Sequence, residues 1–309
     1  MRFMLIDGNS LAYRAFHALP TDLVTASGQV TNAVFGFTSM FINLVRDHEP
    51  DAVAVAFDRP EPTWRHEHHP EYKANRSAAP DILRQQLGLV RQVVETLGVT
   101  FIDKAGVEAD DIIATLATQA RDRGDDVLIV TGDRDSYQLV EDPHVRVIYN
   151  KRGVSDYADY DEAGILERTG VHPRDYVQYA ALRGDPSDNL PGIPGVGEKT
   201  AAKLINTYGG LDGIFAHVDE QTPKLRQNLT EFEAQARNNV VMMVLSRDVE
   251  LPLGLDDIGF PDPDTDAVRE LFDFLEFRTL YDRLAEALEA DLGPGGPAAE
   301  VLEAEVVRP

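Results

Sequence analysis

A chain of 309 residues with 29 Lys plus Arg against 53 Asp plus Glu carries a formal charge of -24, which is too acidic for a simple charge-coated nucleic-acid binder. Its 43% hydrophobic and 27% charged residues are ordinary for a globular protein of one large domain or two closely joined ones, and they exclude disorder of the whole chain. No cysteine is present, so disulfides, thiolate metal sites and a cysteine nucleophile are excluded, which fits a reducing compartment.

The chain opens with MRFMLIDGNSLAYRAF, whose apolar run is too short for a signal peptide. No later stretch reaches the roughly 20 apolar residues of a membrane span. The expectation is a cytoplasmic protein. RFMLID at 2–7 reads as a first strand, a helical periodicity covers 31–46, and DAVAVAFD at 51–58 reads as a second strand. Residues 59–91 begin Pro-rich and aperiodic and turn helical from 81 to 97. VTFI at 99–102, a helix over 109–123, DVLIVTGD at 126–133 and VRVIY at 145–149 continue the alternation. Short Val/Ile/Leu runs alternating with helices predict an α/β fold, a mostly parallel central sheet flanked by helices.

Negative charge is unevenly placed. Residues 248–309 hold 17 acids and 4 arginines, so thirteen units of the -24 lie there and eleven in residues 1–247. Asp7, Asp58 and Asp133 each terminate an apolar strand, and functional groups in open α/β sheets gather at the carboxyl ends of strands. Glu108, Asp110 and Asp111 open the helix that follows, Asp135 stands two residues past Asp133, and Asp185 and Asp188 are spaced by three. Such oxygen-only donors suit Mg2+ or Mn2+ and not zinc. Two such ions could carry phosphoryl transfer. A phosphatase site, a Mg-nucleotide site, or a set of turn residues and helix caps would use the same residue types.

Residues 59–91 hold six Lys or Arg against four acids and three histidines. Lys73 and Arg76 can share a face beside Tyr72, whose ring could stack on a base; a salt-bridged surface segment is the plainer reading. His66, His68 and His69 lack the HExxH pattern and read as solvated groups or auxiliary phosphate contacts. Downstream, LRGDPSDNLPGIPGVGEKTAAKLI places Gly192, Gly195 and Gly197 in a tight hairpin ahead of a helix bearing Lys199 and Lys203. Backbone N–H groups and these lysines could meet phosphates, although a structural turn between helices has the same composition.

Together, MRFMLIDGNSLAYRAF, AVAFDRPEPTWRHEHHPEYKANR, GVEADDIIATLA, VTGDRDSYQLV and LRGDPSDNLPGIPGVGEKTAAKLI resemble, in order, the motifs of the bacterial 5'-nucleases. That family comprises stand-alone flap endonucleases and the 5'-3' exonuclease domain of DNA polymerase I. The resemblance runs from residue 2 to about residue 285. It implies a PIN-like α/β domain over 1–180 with a helical arch near 59–90. It also implies a helix-hairpin-helix or helix-three-turn-helix DNA-binding subdomain over 181–290, with its hairpin at 190–206. Residues 291–309 read as a flexible acidic tail.

The implied activity is a 5'-3' exonuclease and structure-specific 5'-flap endonuclease that acts in replication and repair through metal-activated water. By resemblance, Asp7, Asp58, Glu108, Asp110 and Asp111 form one metal cluster, and Asp133, Asp135, Asp185 and Asp188 support a second. Tyr72, Lys73 and Arg76 would position the reacting nucleotide. Gly192, Gly195, Gly197, Lys199, Thr200 and Lys203 would contact duplex DNA, with K+ at the hairpin. Implied partners are branched or 5'-flap DNA, nicked duplex, RNA-containing 5' ends and a DNA polymerase, with no membrane and a nucleoid-associated location during activity. A catalytically weak repair scaffold or an RNA-preferring relative would share much of this pattern. The length leaves no room for proofreading and polymerase domains, so the chain reads as a stand-alone nuclease or a segment of a longer polypeptide.

Overall fold

The computed structural model describes residues 1–289 and 292; the expected acidic tail, apart from Leu292, lies outside the described residues. Six strands form one sheet: β1 (Arg2–Asp7), β2 (Ala52–Phe57), β3 (Thr100–Asp103), β4 (Asp126–Thr131), β5 (Val145–Arg152) and β6 (Asp156–Tyr160). Their spatial order is β3-β2-β1-β4-β5-β6. All pair in parallel except β6, which runs antiparallel to β5. The order reverses between β1 and β4, so the crevice at their carboxyl ends is the sheet's switch point, where ligands collect in folds of this type.

Alternate residues of each strand feed two separate cores, as the period of a strand requires. Phe3, Leu5, Val127 and Ile129 face α5 (Ala109–Arg123) and the helices that follow the sheet. Met4, Ile6, Leu128 and Val130 face α1 (Gly8–Ala18), α2 (Asn32–His48) and α4 (Asp81–Thr96). The predicted α5 keeps its bounds, 109–123. α1 and β6 have no counterpart in the sequence reading: α1 starts on the Asp7 cap, which reads in sequence as a site residue, and DYADY lacks a sustained apolar face.

Between β2 and α4 the expected arch region contains only α3 (Trp64–His68) and turns before the α4 start at Asp81. Gln86 of α4 is fully buried, and its carbonyl oxygen accepts from the N–H groups of Ala33 (2.7 Å) and Val34 (3.3 Å) at the start of α2. That bond satisfies two N-terminal donors that the helix itself cannot.

After β6 come α6 (Glu162–Thr169), α7 (Tyr176–Arg183), the two-residue strands β7 (Gly184–Asp185) and β8 (Leu190–Pro191), α8 (Glu198–Tyr208), α9 (Leu211–Ala216) and α10 (Pro223–Met243). These continue the core that α5 shares with the sheet. The last helices, α11 (Thr265–Phe274) and α12 (Arg278–Ala287), return to the opposite side and pack with α2 and α4 through Val268, Phe272, Leu280 and Leu284. The stretch expected as one helical subdomain, 181–290, therefore divides its packing between both faces of the sheet. Among the described residues no helix is long and apolar enough to cross a membrane.

The three hairpin glycines have different physical roles. At Gly192 a Cβ would fall 2.1 Å from the Arg183 carbonyl oxygen and 2.6 Å from the Gly184 nitrogen. Only a residue without a side chain lets β7 and β8 approach this closely. Gly195 has φ of +81°, whereas Gly197 has open space around it. Gly192→Ala is expected to lower unfolding free energy by about 1–3 kcal/mol in urea melts, with Gly197→Ala within about 0.5 kcal/mol of the parent. Equal stability of both variants would contradict the close-approach assignment.

Candidate active site

Asp7 closes β1 at the switch point, and its two oxygens are committed locally. One accepts from the Ser10 N–H at 2.9 Å and caps α1; the other accepts from the Thr131 hydroxyl at 2.9 Å at the end of β4. Thr131 Oγ1 in turn accepts from the Asp133 N–H at 3.0 Å, and Asp133 accepts from the Asp135 N–H at 2.9 Å, capping the 3-10 turn Arg134–Leu139. Asp58, past β2, accepts from the Ala109 N–H at 2.8 Å at the start of α5. Carboxylates thereby tie the ends of β1 and β4 to each other and to the start of α1, and the end of β2 to the start of α5.

The resulting crevice, about 450 Å³, is lined by Asp7, Asp58, Glu108, Asp110 and Asp133 together with Lys73, Arg76 and Tyr13. Burial pushes Asp7 up to about 7, with Asp58 adding to the rise against the hydrogen bonds from Ser10 and Thr131. Asp110 is raised well above the usual carboxylate range, first by burial and then by Asp7, Asp133, Asp58 and Glu108. Its Oδ1 is buried without a hydrogen-bond partner. Asp58 and Asp133 are also raised, chiefly by burial. Asp135 rises strongly from burial and from Asp133, Asp188 and Asp185. Eight of the nine expected acids thus share one repulsive field.

Asp111 is the correction to the expected ligand set. It is fully buried, with its oxygens 2.7 and 2.9 Å from the Arg65 guanidinium, and it also accepts from the N–H groups of Glu108 (3.1 Å) and Ser246 (2.9 Å). Arg65, itself 1% exposed, donates further to the carbonyls of Met242 in the last turn of α10 and of Val244, the residue that caps it. With all its lone pairs directed at protein donors, Asp111 is a clamp for the start of α5. Sequence reasoning missed Arg65 because nothing in WRHEHH separates it from its neighbours.

Tyr72 is corrected in the same way. It is 3% exposed within the core, and its hydroxyl donates to Asp188 at 2.8 Å and Glu108 at 3.1 Å. A ring packed this deeply offers no face to a base. Burial and the neighbouring Glu108 and Asp188 raise its pKa, so the phenol stays a donor. Lys73 Nζ lies 2.6 Å from Glu108, and Arg76 pairs with Asp188. Burial opposes the Lys73 charge, but Glu108 and Asp188 outweigh it and raise its pKa. Asp185 accepts from the Ser187 N–H at 2.8 Å.

The histidines stand apart from these acids: His66 closes the α3 cap with Thr63, and His68 lies 3.2 Å from Asn238. Gly197 caps α8 without a side-chain acceptor for the first-turn N–H groups. Lys199 and Lys203 are exposed on α8 with Thr200 half-buried between them. The hairpin carbonyls of Pro191, Gly192 and Pro194 already accept from the side-chain amides of Gln235, Asn239 and Asn228.

Among the described residues, no three Asp, Glu or His groups converge as a ready-made ion cage. The donor set nevertheless fits a hard cation: every donor is a carboxylate oxygen, the acids repel one another, and Asp110 has an oxygen to spare. Mg2+ characteristically keeps several waters and uses one or two carboxylates directly, so a dispersed arrangement suits it.

Residues 2–170 match the 5'-3' exonuclease N-terminal resolvase-like domain, and residues 171–266 match the 5'-3' exonuclease C-terminal SAM fold. DNA polymerase I of Mycobacterium tuberculosis (strain ATCC 25618 / H37Rv) is 50% identical over 292 residues, which cover 94% of this chain and 32% of that protein. DNA polymerase I of Bacillus caldotenax is 39% identical over 284 residues, covering 92% and 32%. The chain thus spans about a third of the length of the curated relatives it matches. Among solved structures, the T5 5'-exonuclease with bound divalent zinc ions superposes with a TM-score of 0.66 at 21% identity, over 93% of this chain and 100% of that one. The catalytic core of Rad2 in complex with DNA substrate superposes at 0.61 and 16% identity, over 93% and 92%. These two likenesses establish the fold, and the matched domains identify the lineage: the chain belongs to the 5'-3' exonuclease family.

Proposed function

We propose that this chain is a divalent-metal-dependent 5'-nuclease, a 5'-3' exonuclease and 5'-flap endonuclease acting on branched or nicked DNA. The observation that carries the reading is the lining of one crevice at the switch point of the sheet by five carboxylates, Asp7, Asp58, Glu108, Asp110 and Asp133, whose burial and mutual repulsion raise the pKa values of Asp7, Asp58, Asp110 and Asp133. Mg2+ or Mn2+ held there would neutralise the phosphodiester and activate water for its hydrolysis. Asp7, Asp58, Glu108, Asp110 and Asp133 line the crevice, and Asp135, Asp185 and Asp188, close enough for their charges to act on Asp133 or on one another, serve as supporting acids. Lys73 and Arg76 enter the same space as cations able to orient a phosphate and stabilise charge developing on it.

Residues 1–180, together with Asp185 and Asp188, carry this chemistry in the proposal, and the hairpin at 190–206 supplies the duplex grip. The N–H groups at the start of α8, with Lys199, Thr200 and Lys203, would meet backbone phosphates irrespective of base sequence. RNA-containing 5' ends and functional pairing with a polymerase are compatible extensions of the same reading. A 5'-flap substrate labelled at each end tests it: metal-dependent release of the 5' strand near the junction is expected. Asp133→Asn should slow turnover by at least about 100-fold with flap binding retained. Binding without cleavage by the parent chain in either metal would overturn the nuclease reading in favour of a scaffold.

Lys73 sits on Glu108 as a tethered counterion, so it competes with a divalent cation for the same carboxylate. Lys73→Met is therefore expected to bind Mn2+ more tightly in calorimetric titrations without DNA, while cleaving flaps about 100-fold more slowly. Weaker Mn2+ binding would show that the lysine supports the metal site instead.

Crowded carboxylates also impose a pH dependence. A carboxyl whose folded pKa exceeds its unfolded value holds its proton preferentially in the folded state, so stability falls as pH rises through the interval between the two. For Asp7 that interval runs from 3.8 to about 7, and Asp110 is shifted in the same direction. Asp110→Asn in EDTA should thus gain about 0.5–2 kcal/mol at pH 7, and less at pH 4, in urea unfolding. A gain independent of pH would mean that charge relief is not its cause.

A further inference from the structure

A second concavity lies away from the acid crevice. It has a volume of about 460 Å³ and is walled by α7, the start of α9 and the last turns of α10. Val177, Leu211, Val240 and Val244 give it apolar walls, with Arg237 and Arg247 among its polar groups. Val244 is 43% exposed there, and the neighbouring Val241 is 44% exposed. On a chain of charge -24, a hollow lined by Arg174, Arg237 and Arg247 against the single carboxylate of Asp212 is locally positive.

The two arginines differ in a way that points to a ligand. Arg237 is already neutralised, 2.8 Å from Asp212 and 2.9 Å from Glu233. Arg247 is half-buried and makes one protein hydrogen bond, to the Gln138 carbonyl at 2.8 Å. Among the described residues it has no ion-pair partner within 4.0 Å, and burial together with Arg121 lowers its pKa against the weaker attraction of Glu141. A half-buried cation left unpaired is costly, and a guanidinium presents a planar fork of donors that matches a carboxylate.

From this juxtaposition, an Arg247 with no ion-pair partner among the described residues beside an apolar hollow, we propose that the groove between α7, α9 and α10 docks an acidic peptide segment of a partner protein. An aliphatic or aromatic side chain enters against Val177, Leu211 and Val240, and an adjacent carboxylate bridges to Arg247. A nucleic-acid backbone would satisfy the guanidinium but offers these walls only small, oxygen-bearing sugars in place of a Leu- or Phe-sized side chain, so the chemistry of the groove favours peptide over phosphate. The site is separate from the acid crevice and does not depend on the nuclease reading.

Fluorescence anisotropy with the full chain in EDTA tests this, using fluorescein-labelled DELFDE and its uncharged counterpart NQLFNQ. Saturable binding of DELFDE is expected, with NQLFNQ and the variant Arg247→Gln each at least about tenfold weaker. Because Arg247 also holds the Gln138 carbonyl, Val177→Glu serves as a second variant that leaves this bond intact and repels the peptide. Both variants are checked by thermal melting, and Val177→Glu alone decides the matter if Arg247→Gln melts early. Absence of DELFDE binding, equal binding of the two peptides, or binding unchanged in a folded Val177→Glu variant would overturn the proposal. So would displacement of DELFDE by a 5'-flap duplex together with loss of flap affinity in folded Arg247→Gln, which would assign the groove to nucleic acid.

Discussion

Repulsion among carboxylates at the carboxyl edge of the sheet is the constraint that the surrounding architecture serves. Eight acids share one field, and burial deprives most of them of the water that would screen it. A folded chain tolerates this only if something else fixes the backbone around them. Asp7 bonds two elements at once, to Ser10 and Thr131, and Asp58 bonds the start of α5. Arg65 holds α5 from behind through Asp111 and reaches the carbonyls at the end of α10. Tyr72, Lys73 and Arg76 close the arrangement from the β2–α4 connection by bonding Glu108 and Asp188.

This division of labour separates two kinds of acid that look alike in sequence. Asp110 and Asp111 are adjacent, yet the helical rotation between them sends one carboxylate into the crevice with a spare oxygen and the other into a fully satisfied ion pair. A pairing like Arg65–Asp111 is strongly destabilising to break from one side, because the survivor is left charged in a dry interior. The same logic makes Glu108 a shared node, touched by Lys73, Tyr72 and Arg65 at once.

Much of this was legible beforehand because strand and helix periodicity is a local property. The apolar runs ending in Asp7, Asp58 and Asp133 became β1, β2 and β4, and the helix over 109–123 kept its bounds. The switch-point placement of their acids follows from strand order, which alternating βα units nearly dictate. The direction of individual side chains was not legible, since it depends on tertiary partners far along the chain. Tyr72 reads as a stacking ring until the core closes over it, and Arg65 reads as one cation among several until Asp111 and Met242 meet it. α1 was hidden for a related reason: its cap is Asp7, a residue serving two purposes at once.

The return of α11 and α12 to the far side of the sheet shapes how the molecule can move. The helices between β6 and α10 pack on the face of the sheet that α5 covers and are followed by α11 and α12 on the other face, so they are anchored at both ends. A lobe attached by one linker can swing as a hinged jaw, but one tethered twice over a shared core can only flex within its closure. The α8 hairpin and the acid crevice are then spaced by one shared core, to which Ala201, Leu204 and Ile205 of α8 belong. Any ruler function, such as the spacing between a gripped duplex and the bond that is cut, would be written into the packing of α5, α7 and α10 themselves.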